Sequence, residues 1–94
     1  MLKVTGPIEE CFELAGRGTV VTFAKVTGLP VGRPLRATVS RPDGSRLQAD
    51  AFKEWLMRLD LRTSAAEAFL LMNVQKSAIP NGSTIELELI PEAS

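Results

Sequence analysis

Glu9 and Glu10 are the residues whose types come nearest to working chemistry, because paired carboxylates are what general acid-base catalysis uses. Their spacing argues against that use. Adjacent residues of a strand point to opposite faces, so the two cannot flank one substrate. Cys11 follows them, but a thiol is a nucleophile only as its thiolate, and no Lys or His adjoins it in the sequence to lower its pKa. The chain has no histidine and a single cysteine, which excludes a zinc site or a Ser-His-Asp or Cys-His pair built from its own residues. The expectation is a protein that is not an enzyme, with no metal and no cofactor.

The remaining candidates are basic. Arg17 stands between Gly16 and Gly18, where a guanidinium can meet a phosphate or simply keep a hairpin tip wet. Arg33, Arg36, Arg41 and Arg46, opposed only by Asp43, are the one basic run and suit either an RNA or acidic-protein contact or a solvated face. Eleven basic residues are balanced by eleven acidic ones, so any nucleic acid must be held by a local patch rather than by net charge.

The elements that position these residues read as strands. Ile8 to Leu14 alternates, with Ile8, Phe12 and Leu14 on one face, Glu9, Cys11 and Glu13 on the other, and Glu10 breaking the pattern. Gly16 and Gly18 suit a tight hairpin, and Thr19 to Thr27 returns as a β-branched run. Leu35, Ala37 and Val39 alternate with polar residues. Arg41-Pro-Asp-Gly44 has the composition of a turn with its glycine in the left-handed region, and Ser45 to Ala51 is the returning partner. A strand to about residue 52 is then followed by a short amphipathic helix, with Phe52, Trp55, Leu56 and Leu59 at helical spacing; Phe52, Trp55 and Leu56 suit a docking surface for a partner, but in so small a domain core is the expected use. Ala68 to Val74 is a continuous apolar run, the pattern of a strand buried on both sides. Ser77 to Gly82 is a loop, and Ile85, Leu87 and Leu89 alternate as a last strand. Ninety-four residues make one domain, 1–94, and six or seven short strands predict an all-β fold, a closed antiparallel barrel with one short helix. No signal peptide or run of about 20 apolar residues is present, so a soluble, cytoplasmic protein without membrane contact is expected.

Pro7-Ile-Glu-Glu-Cys-Phe-Glu-Leu-Ala-Gly-Arg-Gly-Thr-Val-Val-Thr22 closely resembles the opening of the second, β-barrel domain of the translational GTPases of the elongation factor Tu type. Phe69-Leu-Leu-Met-Asn-Val-Gln-Lys-Ser-Ala-Ile-Pro-Asn-Gly82 is similar to a later strand and loop of the same domain, and Gly32 to the glycine of the turn between. The phosphate loop and guanine reader of those proteins are absent, which implies a barrel standing alone that binds no nucleotide. By resemblance the binding residues are Glu9, Glu10, Phe12, Leu14, Arg17, Val20, Thr22, Asp50 and Leu70. Leu14, Val20 and Leu70 match the apolar wall of a pocket for the terminal adenine of tRNA, Thr22 its threonine, and Asp50 a glutamate facing the base. The family's asparagine aligns with Ala66, its glycine after Val-Val-Thr with Phe23, and its Arg-Gly with Met72-Asn73. Phe23 is therefore expected either to fill the neighbouring pocket or to offer a new apolar contact. The resemblance implies a non-catalytic binding module acting through a protein partner or the translation machinery. The alternative is an RNA-end binder that retains the adenine pocket, with tRNA acceptor ends or rRNA as its ligand.

Overall fold

Period-two alternation builds most of the strands of this chain. In the computed structural model, which describes residues 3–23, 27–54 and 67–90, seven strands form one sheet: β1 (Lys3–Pro7), β2 (Cys11–Leu14), β3 (Gly18–Phe23), β4 (Leu35–Ser40), β5 (Arg46–Glu54), β6 (Glu67–Met72) and β7 (Thr84–Leu89). Their order across the sheet is β1-β7-β4-β5-β6-β3-β2, and all neighbouring strands run antiparallel. A single 3-10 turn, Lys76–Ala78, is the one helical element among the described residues. The helix expected after residue 52 does not begin there, because β5 continues to Glu54; the rest of that expectation, including Trp55, Leu56 and Leu59, lies outside the described residues.

The inward faces of β4 and β7 supply Leu35, Ala37, Val39, Ile85 and Leu87, all at most 1% exposed, and these pack with Val21, Phe23, Ala51, Phe69 and Leu71. Burying each large side chain contributes roughly 1.5–3 kcal/mol, so this cluster is the main source of stability. β3 and β6 are buried on both faces, as the apolar run from Ala68 implies, because a second cluster of Val20, Ala68 and Leu70 lies on the outer side of the sheet. Thr19 faces the interior without cost to its hydroxyl, which donates to the Val74 carbonyl at 2.7 Å.

Two turns behave as their residues dictate. Gly16 and Gly18, at φ +78° and +145°, make the β2–β3 hairpin. At Arg41 to Gly44 the Gly44 amide donates to the Arg41 carbonyl at 2.9 Å with Gly44 at φ +92°. The Asp43 carboxylate there accepts the Ser45 hydroxyl and amide at 2.6 and 2.9 Å, and these bonds hold its pKa below the ordinary value.

The sheet curls into a half-barrel and does not close. Its end strands are β1 and β2, and the connection between them explains why. Residues 8–10 are not strand. The Ile8 amide donates to the Ser83 carbonyl at 3.3 Å, the Glu9 amide to the Thr22 carbonyl at 3.0 Å, and the Thr22 amide to the Glu10 carbonyl at 2.9 Å. The linker thus uses hydrogen bonds to both ends of the sheet, where direct β1–β2 pairing would have closed a barrel. It also corrects the expected faces of Ile8 to Leu14. Ile8 and Cys11 pack against the inner core, while Phe12 and Leu14 pack on the outer cluster.

β1 is absent from the sequence reading; of the run expected from Thr19 to Thr27, β3 covers residues to Phe23, residues 24–26 lie outside the described residues, and Thr27 is not strand. Thr27 lies beyond it in a loop, where its hydroxyl and amide donate to the Glu67 carboxylate at 2.5 and 3.2 Å. Lys53 pairs with Glu67 at 3.3 Å and donates to the Leu29 carbonyl at 2.9 Å, tying this loop to β5 and β6.

Candidate binding surface

The outer face of β2, β3, β6 and β5 can be laid out from its registers. In the middle row, Phe12 stands opposite Val20, Val20 opposite Leu70, and Leu70 opposite Phe52. On one side of it, Thr22 stands opposite Ala68 and Ala68 opposite Glu54. Glu10 adjoins that row, its amide donating to the Thr22 hydroxyl at 3.0 Å. On the other side, Gly18 lies opposite both Leu14 and Met72. Asp50 occupies the same face as Phe52, two residues back along β5.

This grid is apolar at its centre. Val20 and Leu70 are only 4% and 1% exposed, while Phe12, Leu14, Phe52 and Met72 are half-buried around them. Arg17 reaches from the hairpin tip to Glu54 at 3.9 Å, so this ion pair spans β3 and β6. At 58% and 30% side-chain exposure it is a weak, solvent-screened link.

The rest of the outer face is polar. Lys3 stands opposite Glu88, Glu88 opposite Arg36, and Arg36 opposite Asp50, a row of alternating charge on β1, β7, β4 and β5. Of the basic run, Arg36 belongs to that row, Arg46 lies opposite Ser40, and Arg41 is committed to the Ala78 carbonyl at 2.8 Å and the Ser45 hydroxyl at 3.1 Å. Arg36, Arg41 and Arg46 are not presented as one patch.

The structure thus divides the residues singled out in the sequence. Phe12, Leu14, Val20, Leu70 and Asp50 share the outer face with Arg17 across it. Thr22 is buried at 1% exposure and serves as the clasp that holds the linker. Glu9 and Glu10 are exposed at a separate cleft of about 470 Å³ between the linker and the loop before β7, with Cys11, Lys76, Ile79 and Ser83 among its other walls. Cys11 does have a lysine nearby in space. Burial nevertheless outweighs the pull of Lys76 and pushes the thiol above its ordinary pKa, so Cys11 is a poor nucleophile.

Phe23 is settled as core: it is 1% exposed and its ring packs against Gly6 of β1. Glu54 and Met72 were not among the expected binding residues, and Phe52 was weighed only as helix core or as part of a helical docking surface. The alternation Asp50, Phe52, Glu54 was the signal for Phe52 and Glu54, once the strand is carried past residue 52.

No group of three or more His, Cys, Asp or Glu residues among the described ones is placed to hold a metal ion, and no described helix is long and apolar enough to cross a membrane. Comparison with protein-family models, curated proteins and solved structures finds no match to this chain.

Proposed function

We propose that the chain is a non-catalytic binding module, similar in plan to the second barrel domain of the translational GTPases, which holds a protein partner or a component of the translation machinery on the outer face of β2, β3, β6 and β5. The observation that carries this reading is the row Phe12, Val20, Leu70, Phe52, four apolar side chains in register on four adjacent strands of a face whose other half is charged. The half-buried ends of that row, Phe12 and Phe52, offer apolar contact within a polar surround, the anatomy of a protein interface. The module works in the cytoplasm, to which one unpaired cysteine is suited.

Phe12, Leu14, Val20, Leu70 and Asp50 share this face, and that grouping favours the second reading, a site for an RNA end. The carboxylates of Asp50 and Glu54 along β5 repel phosphates, however, which supports the protein reading over it.

The test is capture from lysate by the tagged chain, washed at low and at high salt, with Phe12→Ser as the variant. Phe12 is half-buried on an edge strand, so the fold is expected to survive the substitution, checked by a cooperative melt. Capture that resists salt and is lost in Phe12→Ser is the expected result. Capture that collapses with salt, together with RNA in the eluate, assigns the face to nucleic acid. Capture unchanged in Phe12→Ser refutes the assignment to this face.

A further inference from the structure

A backbone nitrogen can attack the side-chain carbonyl of the residue before it, and glycine, with no side chain to obstruct the approach, is the residue best placed to do so. Two pairs in the chain have that composition, Asp43-Gly44 and Asn81-Gly82, and their surroundings differ. At the first, both partners are occupied. The Gly44 amide donates to the Arg41 carbonyl at 2.9 Å, and the Asp43 carboxylate accepts the Ser45 amide and hydroxyl at 2.9 and 2.6 Å. Those bonds also favour the ionised carboxylate, the form that resists nucleophilic attack.

At Asn81-Gly82 neither partner is held. The Ser83 amide and hydroxyl both donate to the Pro80 carbonyl, at 3.2 and 2.6 Å, so residues 80–83 form a turn. Gly82 is at φ +90° and Asn81 is outside the left-handed region, which makes the turn type II. Its central peptide, Asn81 to Gly82, takes no part in the closing bond. Glycine accepts the φ of a type I or a type II turn, so this peptide can rotate about the Asn81 Cα–C bond while Ser83 stays fastened to Pro80. Both residues are exposed, and neither the Asn81 carboxamide nor the Gly82 amide has a hydrogen-bond partner among the described residues. The other asparagine, Asn73, is followed by Val74, whose branched side chain is 7% exposed and crowds its own nitrogen.

We propose that Asn81 is a site of non-enzymatic covalent modification, with water as its co-reactant. The Gly82 nitrogen gives its proton to hydroxide and bonds to Cγ of Asn81. The Cγ–Nδ2 bond breaks, the leaving nitrogen takes a proton from water and departs as ammonia, and a five-membered imide remains. Water opens the imide at either carbonyl, leaving an aspartyl or an isoaspartyl residue at position 81, and no atom changes oxidation state. Either product adds a carboxylate to the cleft of about 470 Å³ that Glu9 and Glu10 line. The isoaspartyl product also lengthens the main chain between Pro80 and Ser83, and the Ser83 carbonyl is the acceptor of the Ile8 amide at 3.3 Å. Conversion therefore loosens the linker, residues 8–10, where it is fastened beside Cys11.

The test is peptide mapping by mass spectrometry of the folded chain incubated at about pH 8, with isoaspartyl products resolved by chromatography. Asn81 is expected to convert at least about tenfold faster than Asn73, and Asp43 to isomerise faster in urea than in the folded chain. Labelling of Cys11 by iodoacetamide is expected to quicken at least about twofold in the converted fraction. It should stay constant through incubation of Asn81→Gln, whose longer side chain would have to close a larger ring. Position 81 left unconverted in the folded chain, or converted no faster than Asn73, overturns the site. Asp43 isomerising as fast folded as unfolded overturns the hydrogen-bond argument that separates the two pairs. Conversion that leaves Cys11 labelling unchanged overturns the coupling to the linker.

Discussion

Gly6 of β1 and Phe23 of β3 meet where the curled sheet brings its two ends together, and their contact is open to a quantitative test. A Cβ placed on Gly6 would lie 2.6 Å from Cζ and 3.0 Å from Cε1 of the Phe23 ring. The ring is the movable party, but at 1% exposure within the core it has little room to swing aside. Gly6→Ala is therefore an overpacking substitution, expected to cost about 2 kcal/mol. In a domain of this size that corresponds to a fall in Tm of about 8–16 °C. Phe23→Leu removes the atoms that clash and on its own costs about 1–2 kcal/mol as a change of core shape. The combination is the informative measurement. If the ring is what the new methyl meets, Gly6→Ala with Phe23→Leu should be more stable than the sum of the single effects by about 1 kcal/mol, read by urea unfolding of all four chains. Effects that add to within about 0.4 kcal/mol would refute the contact, and with it the account of how β1 is held at the open side of the half-barrel.

Gly18→Ala is expected to be far more damaging, because its Cβ would collide with the Leu71 backbone carbonyl and its φ of +145° suits glycine; loss of a cooperative thermal transition is the expected result. Glu67→Leu leaves Lys53 without its carboxylate at 19% exposure and should cost about 3 kcal/mol in urea, with much of the loss recovered by adding Lys53→Met. For Cys11 the folded chain holds the thiol neutral above its ordinary pKa, so this contribution to stability is intact below the ordinary value of 9.0 and is lost as pH rises through the higher folded value. Cys11→Ala should flatten that alkaline decline in chemical unfolding, and iodoacetamide should label the native thiol more slowly at pH 8 than it labels the urea-unfolded chain.

The parts of the fold that were legible in the sequence are those where one residue pattern meets one environment. Leu35, Ala37 and Val39 alternate because one face of β4 is core and the other wet, and Arg41 to Gly44 carries the residue types its turn requires. β1 escaped notice because Val4 is its one apolar residue facing the core and Gly6 and Pro7 read as breakers; Gly6 is there to make room for Phe23. Whether the sheet closes was not legible either, since it depends on which hydrogen bonds residues 8–10 make rather than on any periodicity. In the candidate site, the apolar wall of Leu14, Val20 and Leu70 was named by the resemblance and not by any periodicity, because its members belong to three different strands. Glu9 and Glu10 were grouped with it by the same resemblance, but the linker places them at another cleft. Phe52 looked like a helix residue since its spacing to Trp55 and Leu56 fits period 3.6 as well as its spacing to Asp50 and Glu54 fits period two.

The pairing of β1 with β7 has a consequence for how the chain is assembled. Lys3 meets Glu88 and Pro7 meets Thr84, so the earliest of the described strands is paired, among the described residues, with the latest of them. Until β7 has left the ribosome, β1 has no partner, and Phe23 has no Gly6 to cover it. The pairs β2–β3, β4–β5 and β5–β6 join strands adjacent in the chain, whereas β3–β6, β4–β7 and β1–β7 need longer closures, and among the described strands the β1–β7 contact spans the most chain. The completion of this sheet is thereby tied to completion of the described chain, and a nascent form lacking β7 presents both an unpaired amino-terminal strand and an uncovered aromatic ring to whatever is nearby.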